Sequence, residues 1–416
     1  MVKKVLSLSL LALISTSAMA GGYRVAMQGN KQLAMGHTGV AVINSAETLF
    51  FNPAGAVYLE DKFSFSAGAS VLVADTKFQN TTYNWENKTR NVGTPFYFYG
   101  NYKATDWLSL GLAVYSPYGS AVDWDKDWQG SHLVNSIDLK AIYFQPTVSV
   151  KLSKHFSFGG GPIFVNGGVT FDKNVSRSMT NEAGQRTSVE VEAKNVQAWG
   201  WTAGYMVTVT DNWRLGMNYR SKIIMKARGG DARFSNVPAF GQGIFKNGNF
   251  DADLPLPAEL TVGTSYKLGK WLLAFDYNRA YWREYKSLTL NFIDNPAIGT
   301  SVNARNYKDS STYRLGVQYQ ANDQLSLRTG WYYDESPVQP GYFAPETPRN
   351  DSRAYTGGLT YKFKNGLGID LVFSYLHFSD TNSSYDYYVE DGQNVSFGGT
   401  YKTAVTSGGL GLSYSF

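Results

Sequence analysis

The chain contains no cysteine among its 416 residues, which excludes disulfides and thiolate metal sites. It has no run of about 18 apolar residues, so no transmembrane helix is expected. Its four histidines, His37, His132, His155 and His377, are scattered. They fall in no metal-ligand spacing and no G-x-S-x-G motif accompanies them, so neither catalysis nor a cofactor is expected. Charged residues are few, at 17%. The net charge is +5, of which Lys3 and Lys4 in the leader supply two, leaving +3. That excess is too small to point to nucleic acid.

Aromatic residues and glycine are plentiful, with 29 Tyr, 42 Gly and an aromatic content of 15%. This composition suits an all-β protein. At the N-terminus, Lys3 and Lys4 precede the apolar stretch VLSLSLLALI, and Ala18-Met19-Ala20 has the small-x-small form of a cleavage site. Residues 1–20 therefore read as a secretory signal peptide, with a mature start at Gly21.

Segment after segment alternates large apolar with small or polar residues. In WLSLGLAVYSP, Leu108, Leu110, Leu112 and Val114 share one face. In KWLLAFDYNRA, Trp271, Leu273, Phe275 and Tyr277 oppose Leu272, Ala274, Asp276 and Asn278. Fourteen such segments are expected, near 61–74, 92–103, 107–116, 138–151, 156–172, 194–210, 212–228, 254–267, 269–285, 308–321, 323–336, 350–363, 366–380 and 400–416. Short polar connections alternate with long ones, the latter near 75–91, 117–137, 173–193, 229–253, 286–307, 337–349 and 381–399. An even number of strands with short turns at one end and long loops at the other is the pattern of an outer-membrane barrel. A soluble sandwich would alternate too, but its loops would not sort by length. The fold class expected is all-β: a 14-stranded antiparallel transmembrane β-barrel in the bacterial outer membrane.

The terminal SGGLGLSYSF fits this reading. Leu410, Leu412, Tyr414 and Phe416 would face lipid on the strand that closes the barrel, with Tyr414 and Phe416 in the periplasmic aromatic girdle. Residues 21–60 show no sustained alternation and are rather apolar, with Leu49, Phe50 and Phe51 in a row. A barrel of about fourteen strands is too wide for side chains alone to fill. Residues 21–60 are therefore expected to plug it, with 61–416 forming the wall. Period two places Arg220, Glu259, Asp276, Arg314, Arg328 and Asp370 on the lumen face.

FFNPAG (Phe50 to Gly55), following an aromatic at Tyr23, resembles the hatch of the FadL-type transporters of long-chain fatty acids, a family that also includes toluene importers. LGLAVYSPYGSAVDWDKDWQGS, NYRSKI, LPLPAELTVGTSYKL, YKDSSTYRLGVQYQANDQLSLRTGWYYDESPV and RAYTGGLTYKF match the same family in order, across essentially the whole mature chain. The resemblance implies passive uptake of hydrophobic molecules. Asn52, Pro53 and Ala54 match the hatch motif whose movement opens the lumen. Pro117, Tyr118 and Gly119 match the place where the family's third strand kinks inward and leaves a lateral opening. Lys308 and Lys173 match basic positions near a ligand carboxylate, with Tyr23 and lumen-facing Arg314 beside the pocket. Phe234, Phe240 and Phe245, in the long loop 229–253, are expected in an external capture groove. The partners implied are a hydrophobic small molecule, outer-membrane lipid and lipopolysaccharide, and the barrel-assembly machinery, with no nucleic acid and a monomeric barrel. A general porin for polar solutes, an outer-membrane hydrolase and an adhesin are the alternatives.

Overall fold

The computed structural model describes residues 22–416. The leader and Gly21 lie outside the described residues. Twenty hydrogen-bonded segments form one sheet, and joined end to end they make fourteen antiparallel staves. These are β1 (Phe63–Asn80), β2 (Trp85–Gly93 continued by Phe96–Lys103), β3 (Leu108–Asp123), β4 (Ser136–Lys151) and β5 (Phe156–Asn174). Next come β6 (Ser188–Thr210), β7 (Trp213–Arg220 and Ile223–Ser235), β8 (Gly248–Leu256 and Glu259–Leu268) and β9 (Trp271–Ala280 and Ser287–Phe292). The last are β10 (Thr300–Ala304 and Ser310–Gln320), β11 (Leu325–Asp334), β12 (Ser352–Lys362), β13 (Leu367–Phe378 and Thr381–Glu390) and β14 (Gln393–Ser415).

The barrel closes between its first and last staves, with β1 and β14 in register from Ser64–Ser415 to Gln79–Thr400. Phe63 and Phe416 then exchange backbone hydrogen bonds of 2.9 and 3.1 Å, and their rings stack 5.2 Å apart. Closure leaves no sheet edge in lipid, where nothing could satisfy it. Alternation sets the two faces. Leu110, Leu112, Trp199, Trp201, Leu371 and Phe373 are exposed on the outside, where they form the lipid-facing band. Asp276, Asp370, Arg220, Arg314 and Arg328 are buried on the inside.

Several staves run further than the alternation implied. The expected loop 75–91 is mostly strand, since β1 reaches Asn80 and β2 begins at Trp85. Likewise 173–193 shrinks to 175–187, and 229–253 to 236–247. The regions 286–307 and 381–399 contain the Ser287–Phe292, Thr300–Ala304 and Thr381–Glu390 segments. These extensions carry charges on their outer face, such as Lys194–Glu192 at 2.9 Å and Arg228–Asp253 at 2.6 Å. With charges on their outer face, they lack the apolar period that marks a lipid-facing strand.

The N-terminal segment fills the lumen as a hatch. It contains two single-turn helices, α1 (Asn30–Leu33) and α2 (Thr48–Phe51), and a 3₁₀ turn at Pro53–Tyr58. Glycines on the wall form its seat. A Cβ on Gly216 would lie 2.0 Å from Val40 O, and one on Gly330 the same distance from Gly36 N. One on Gly159 would lie 2.6 Å from Ala54 N. Only a residue without a side chain lets the hatch backbone come this close. Two extracellular segments also fold inward. Trp124 donates its indole N–H to Pro345 O at 3.1 Å, and Phe343, Ala344, Glu346 and Thr347 of the 337–349 loop are buried.

Candidate ligand-binding site

The third stave decides the local architecture. Pro117 was expected to end it, but β3 continues to Asp123. Its ladder with β4 shifts between Tyr115–Tyr143 and Tyr118–Ala141, so Ser116 and Pro117 together oppose one residue. A bulge of this kind bends the strand and tolerates a residue without an N–H donor. On the other side, the ladder with β2 runs from Lys103–Ser109 only as far as Tyr97–Tyr115. Beyond that point the hatch takes over as partner. Val25 N–H donates to Pro117 O at 2.8 Å, and Gly119 N–H donates to Tyr23 O at 2.9 Å. Arg24 and Tyr118 face each other across this antiparallel bridge. Near the top of β3, Thr89 Oγ1 of β2 donates to Asp123 O at 2.5 Å.

On the extracellular side of this bridge lies an apolar cavity of about 890 Å³, open solvent at its mouth included. Tyr23, Leu139, Phe171, Met225, Phe250 and Leu290 are among the side chains that line it. Tyr23 donates its hydroxyl to Pro255 O and packs edge-on against Trp282 at 4.9 Å and Tyr285 at 5.8 Å. The polar groups sit together at Arg305, Glu346, Tyr307 and Thr347. Arg305 and Glu346 form a buried ion pair. Burial opposes the charge on Arg305, but the Glu346 carboxylate outweighs it and raises the guanidinium pKa. A cavity with this lining suits a hydrophobic ligand.

The sequence-derived site residues are dispersed relative to this cavity. Tyr23 lines it. Lys308 is exposed, its backbone tied to Pro337 O, and the cation at the cavity is Arg305, three residues earlier. Lys173 lies at the end of β5, outside the lining, with its ammonium 5.8 Å from the Tyr388 ring. Phe234 and Phe245 pack on one another at 5.6 Å, while Phe240 is 74% exposed. Arg314 lines a second cavity, on the other side of the hatch–β3 bridge. Arg305, Glu346, Tyr285 and Tyr307 went unnoticed in the sequence. Arg305 lies two residues before the family-like stretch that begins at Tyr307, and no spacing marks which of the nearby cations turns inward.

The hatch motif is held at both ends of its corner. Asn52 Oδ1 accepts from Ala54 N–H at 3.1 Å, while Asn52 Nδ2 donates to Val40 O at 2.8 Å and Tyr205 O at 3.1 Å. Ala54 O accepts from Ser157 Oγ at 2.7 Å. Pro53 opens the 3₁₀ turn that follows, where its fixed φ and missing N–H are harmless. Asn52–Ala54 thus ties the hatch to β5 and β6.

Comparison with known proteins agrees with this architecture. The family described as "Outer membrane protein transport protein (OMPP1/FadL/TodX)" matches residues 11–416. The chain belongs to this family. It is 22% identical over 404 residues to the long-chain fatty acid transport protein of Escherichia coli K12, covering 88% of this chain and 90% of that one. It is 24% identical over 433 residues to the 47 kDa outer membrane protein of Pasteurella multocida, covering 98% and 97%. The fold is shared with a Pseudomonas aeruginosa FadL homologue, with a TM-score of 0.82 at 18% identity over 95% of this chain and all of that one. The Pseudomonas putida toluene transporter TodX gives a TM-score of 0.70 at 17% identity, covering 97% and 99%. The protein is accordingly an outer-membrane transport barrel.

Proposed function

We propose that this barrel is a passive conduit for hydrophobic small molecules, long-chain fatty acids or hydrocarbons, and has no enzymatic role. Ligand enters from outside and rests in the apolar cavity. Movement of the hatch frees Tyr23–Val25 from β3, and ligand then leaves sideways between β2 and β3 into the bilayer. The observation that carries this reading is the exchange of partners at β3. Above Tyr115 its backbone is hydrogen-bonded to the hatch, and its β2 ladder has already stopped. A continuous ladder would hold the wall shut. Sideways release also spares the ligand water, at about 0.8 kcal/mol per methylene.

The functions of its relatives, fatty acid transport and toluene transport, support the substrate class. An open porin is less well supported, because the hatch, the 337–349 loop and the Trp124 loop all occupy the lumen. The test is apolar uptake by cells carrying Gly119→Arg against Gly119→Ala. The bulky charge at the β2–β3 seam is expected to cut uptake sharply, and the alanine is expected to leave it near wild type. Equal uptake by the two variants would overturn lateral exit at this position.

A further inference from the structure

On the periplasmic side of the hatch–β3 bridge lies a second cavity of about 590 Å³, open solvent included, lined by Arg24, His37, Arg220, Arg314, Glu259 and Asp334, together with Phe50 and Phe51. Its cations and carboxylates are not matched in use. Arg24 takes both lining carboxylates, Glu259 at 3.1 Å and Asp334 at 3.0 Å. Glu259 also accepts from Tyr118 at 2.8 Å, and Asp334 from Thr312 at 2.5 Å. Arg314, only 7% exposed, has no hydrogen bond or ion pair among the described residues. Asp276 is its cross-strand neighbour, but Asp276 Oδ2 accepts from the amides of Gly39 and Val40, and no ion pair forms. Arg220 donates Nη2 to Phe50 O at 3.1 Å and lies 4.5 Å over the Phe50 ring, but its Nε is buried without a partner. Both ring nitrogens of buried His37 also lack one.

Buried donors without acceptors are costly, and uncompensated buried cations more so. Arg220 and His37 carry such donors, and Arg314 faces the same cavity with no ion pair among the described residues, an arrangement that calls for an anion. We propose that this cavity is a second subsite, which holds the carboxylate head of a long-chain amphipathic ligand on Arg220 and Arg314 with an N–H from His37. Burial, reinforced by Arg314, Arg24 and Arg220, keeps the His37 pKa well below its usual range, so the ring is neutral and donates through one nitrogen only. Phe50 and Phe51 offer apolar contact to the first methylenes. The apolar cavity cannot perform this selection as well, because its own cation is already neutralised by Glu346. The assignment rests on the proposed conduit function, which brings the ligand into the lumen.

The test is calorimetric titration of the purified full-length barrel with dodecanoate and with 1-dodecanol, which share a chain length. Wild type is expected to bind dodecanoate about tenfold more tightly, and Arg314→Met is expected to reduce dodecanoate affinity to that of the alcohol. A structure of the wild-type protein with 12-bromododecanoate, which needs no variant to fold, is expected to place the carboxylate within hydrogen-bond distance of Arg220 or Arg314. Equal wild-type affinities, equal losses for both ligands in Arg314→Met, or a carboxylate at Arg305 would overturn the subsite while leaving the conduit standing. Loss of the dodecanoate preference on adding inorganic phosphate would make this a general anion site and overturn the head-group assignment. If neither ligand binds and neither is taken up, the conduit reading fails together with the subsite.

Discussion

The amide of Gly119 donates to the carbonyl of Tyr23 at 2.9 Å, and this bond puts the hatch in a place where a barrel strand would normally stand. One segment therefore closes the floor of the apolar cavity and completes the hydrogen bonding of the bent third stave. Moving Tyr23 alters both at once. The side chain between these bonds reinforces them, since Arg24 reaches Glu259, Asp334, Asn278 and Thr312 on the far wall.

Arg24→Met should loosen this corner. Removing one partner from a buried ion pair costs ~3–5 kcal/mol, because the remaining charges are left uncompensated. Glu259 and Asp334 would be those charges. Hydrogen exchange at Val25 N–H is expected to speed up, with β8–β12 amides unchanged. Unchanged exchange at Val25 would show that the Arg24 network does not hold the hatch.

The glycine seat makes a different prediction. In Gly330→Val, a side chain would occupy the space of Gly36 N and Met35 C, each within 2.2 Å of the new Cβ. The wall is expected to assemble with its heat-modifiable mobility intact while the hatch is displaced, so that sensitivity to large polar antibiotics rises. Retained resistance would mean that the hatch adapts to the new side chain.

Hatch docking should also depend on pH. Burial first, and then the nearby Asp370 carboxylate, push Glu47 up to about 7, against the opposing pull of Lys31. A carboxyl raised from its usual ~4.3 binds more protons docked than free. Its contribution to docking is full below that lower value and is lost as pH rises through about 7. Exchange of α1 and α2 amides is therefore expected to be faster at ~pH 8.5 than at ~pH 5.5 after correction for the intrinsic rate. Glu47→Gln should flatten the difference, and a wild-type hatch with no such difference would contradict the assignment.

Much of this architecture is legible in the sequence because lipid imposes a strict period of two. Leu371, Phe373 and Tyr375 face out, and Asp370, Val372 and Ser374 face in, as their alternation requires. Where lipid no longer acts, the pattern lapses, and strand extensions such as Thr381–Glu390 read as loop. Pro117 reads as a strand end because a proline breaks a ladder, but inside a bulge no ladder bond is asked of it. The site is less legible for a related reason. Arg305, at the break within β10, meets Glu346 on the 337–349 loop that folds into the lumen, and no local pattern records that meeting. Alternation puts Arg314 on the lumen face, yet only the path of the hatch determines which cavity it joins.

The terminal aromatic should matter for assembly. Phe416 stacks on Phe63 at 5.2 Å and lies 5.3 Å from Tyr414, contacts of ~1 kcal/mol each. Phe416→Ala is expected to lower the amount of folded barrel in the outer membrane without changing ligand affinity in the fraction that assembles. Quantitative blotting of membrane fractions checks the first part, and wild-type levels there would make the aromatic incidental.

The most direct test of hatch release uses the chain's lack of cysteine. Arg24 and Tyr118 form a non-hydrogen-bonded antiparallel pair, for which a Cα separation of about 4.5 Å is usual and a disulfide is sterically accessible. In Arg24→Cys/Tyr118→Cys, oxidation should lock the hatch to β3. Uptake of a labelled fatty acid or hydrocarbon is measured in the same cells before and after reduction. The account predicts that uptake is blocked when the pair is oxidised and restored by the reductant. Equal uptake in both states, with the cross-link verified by mass spectrometry, would contradict it.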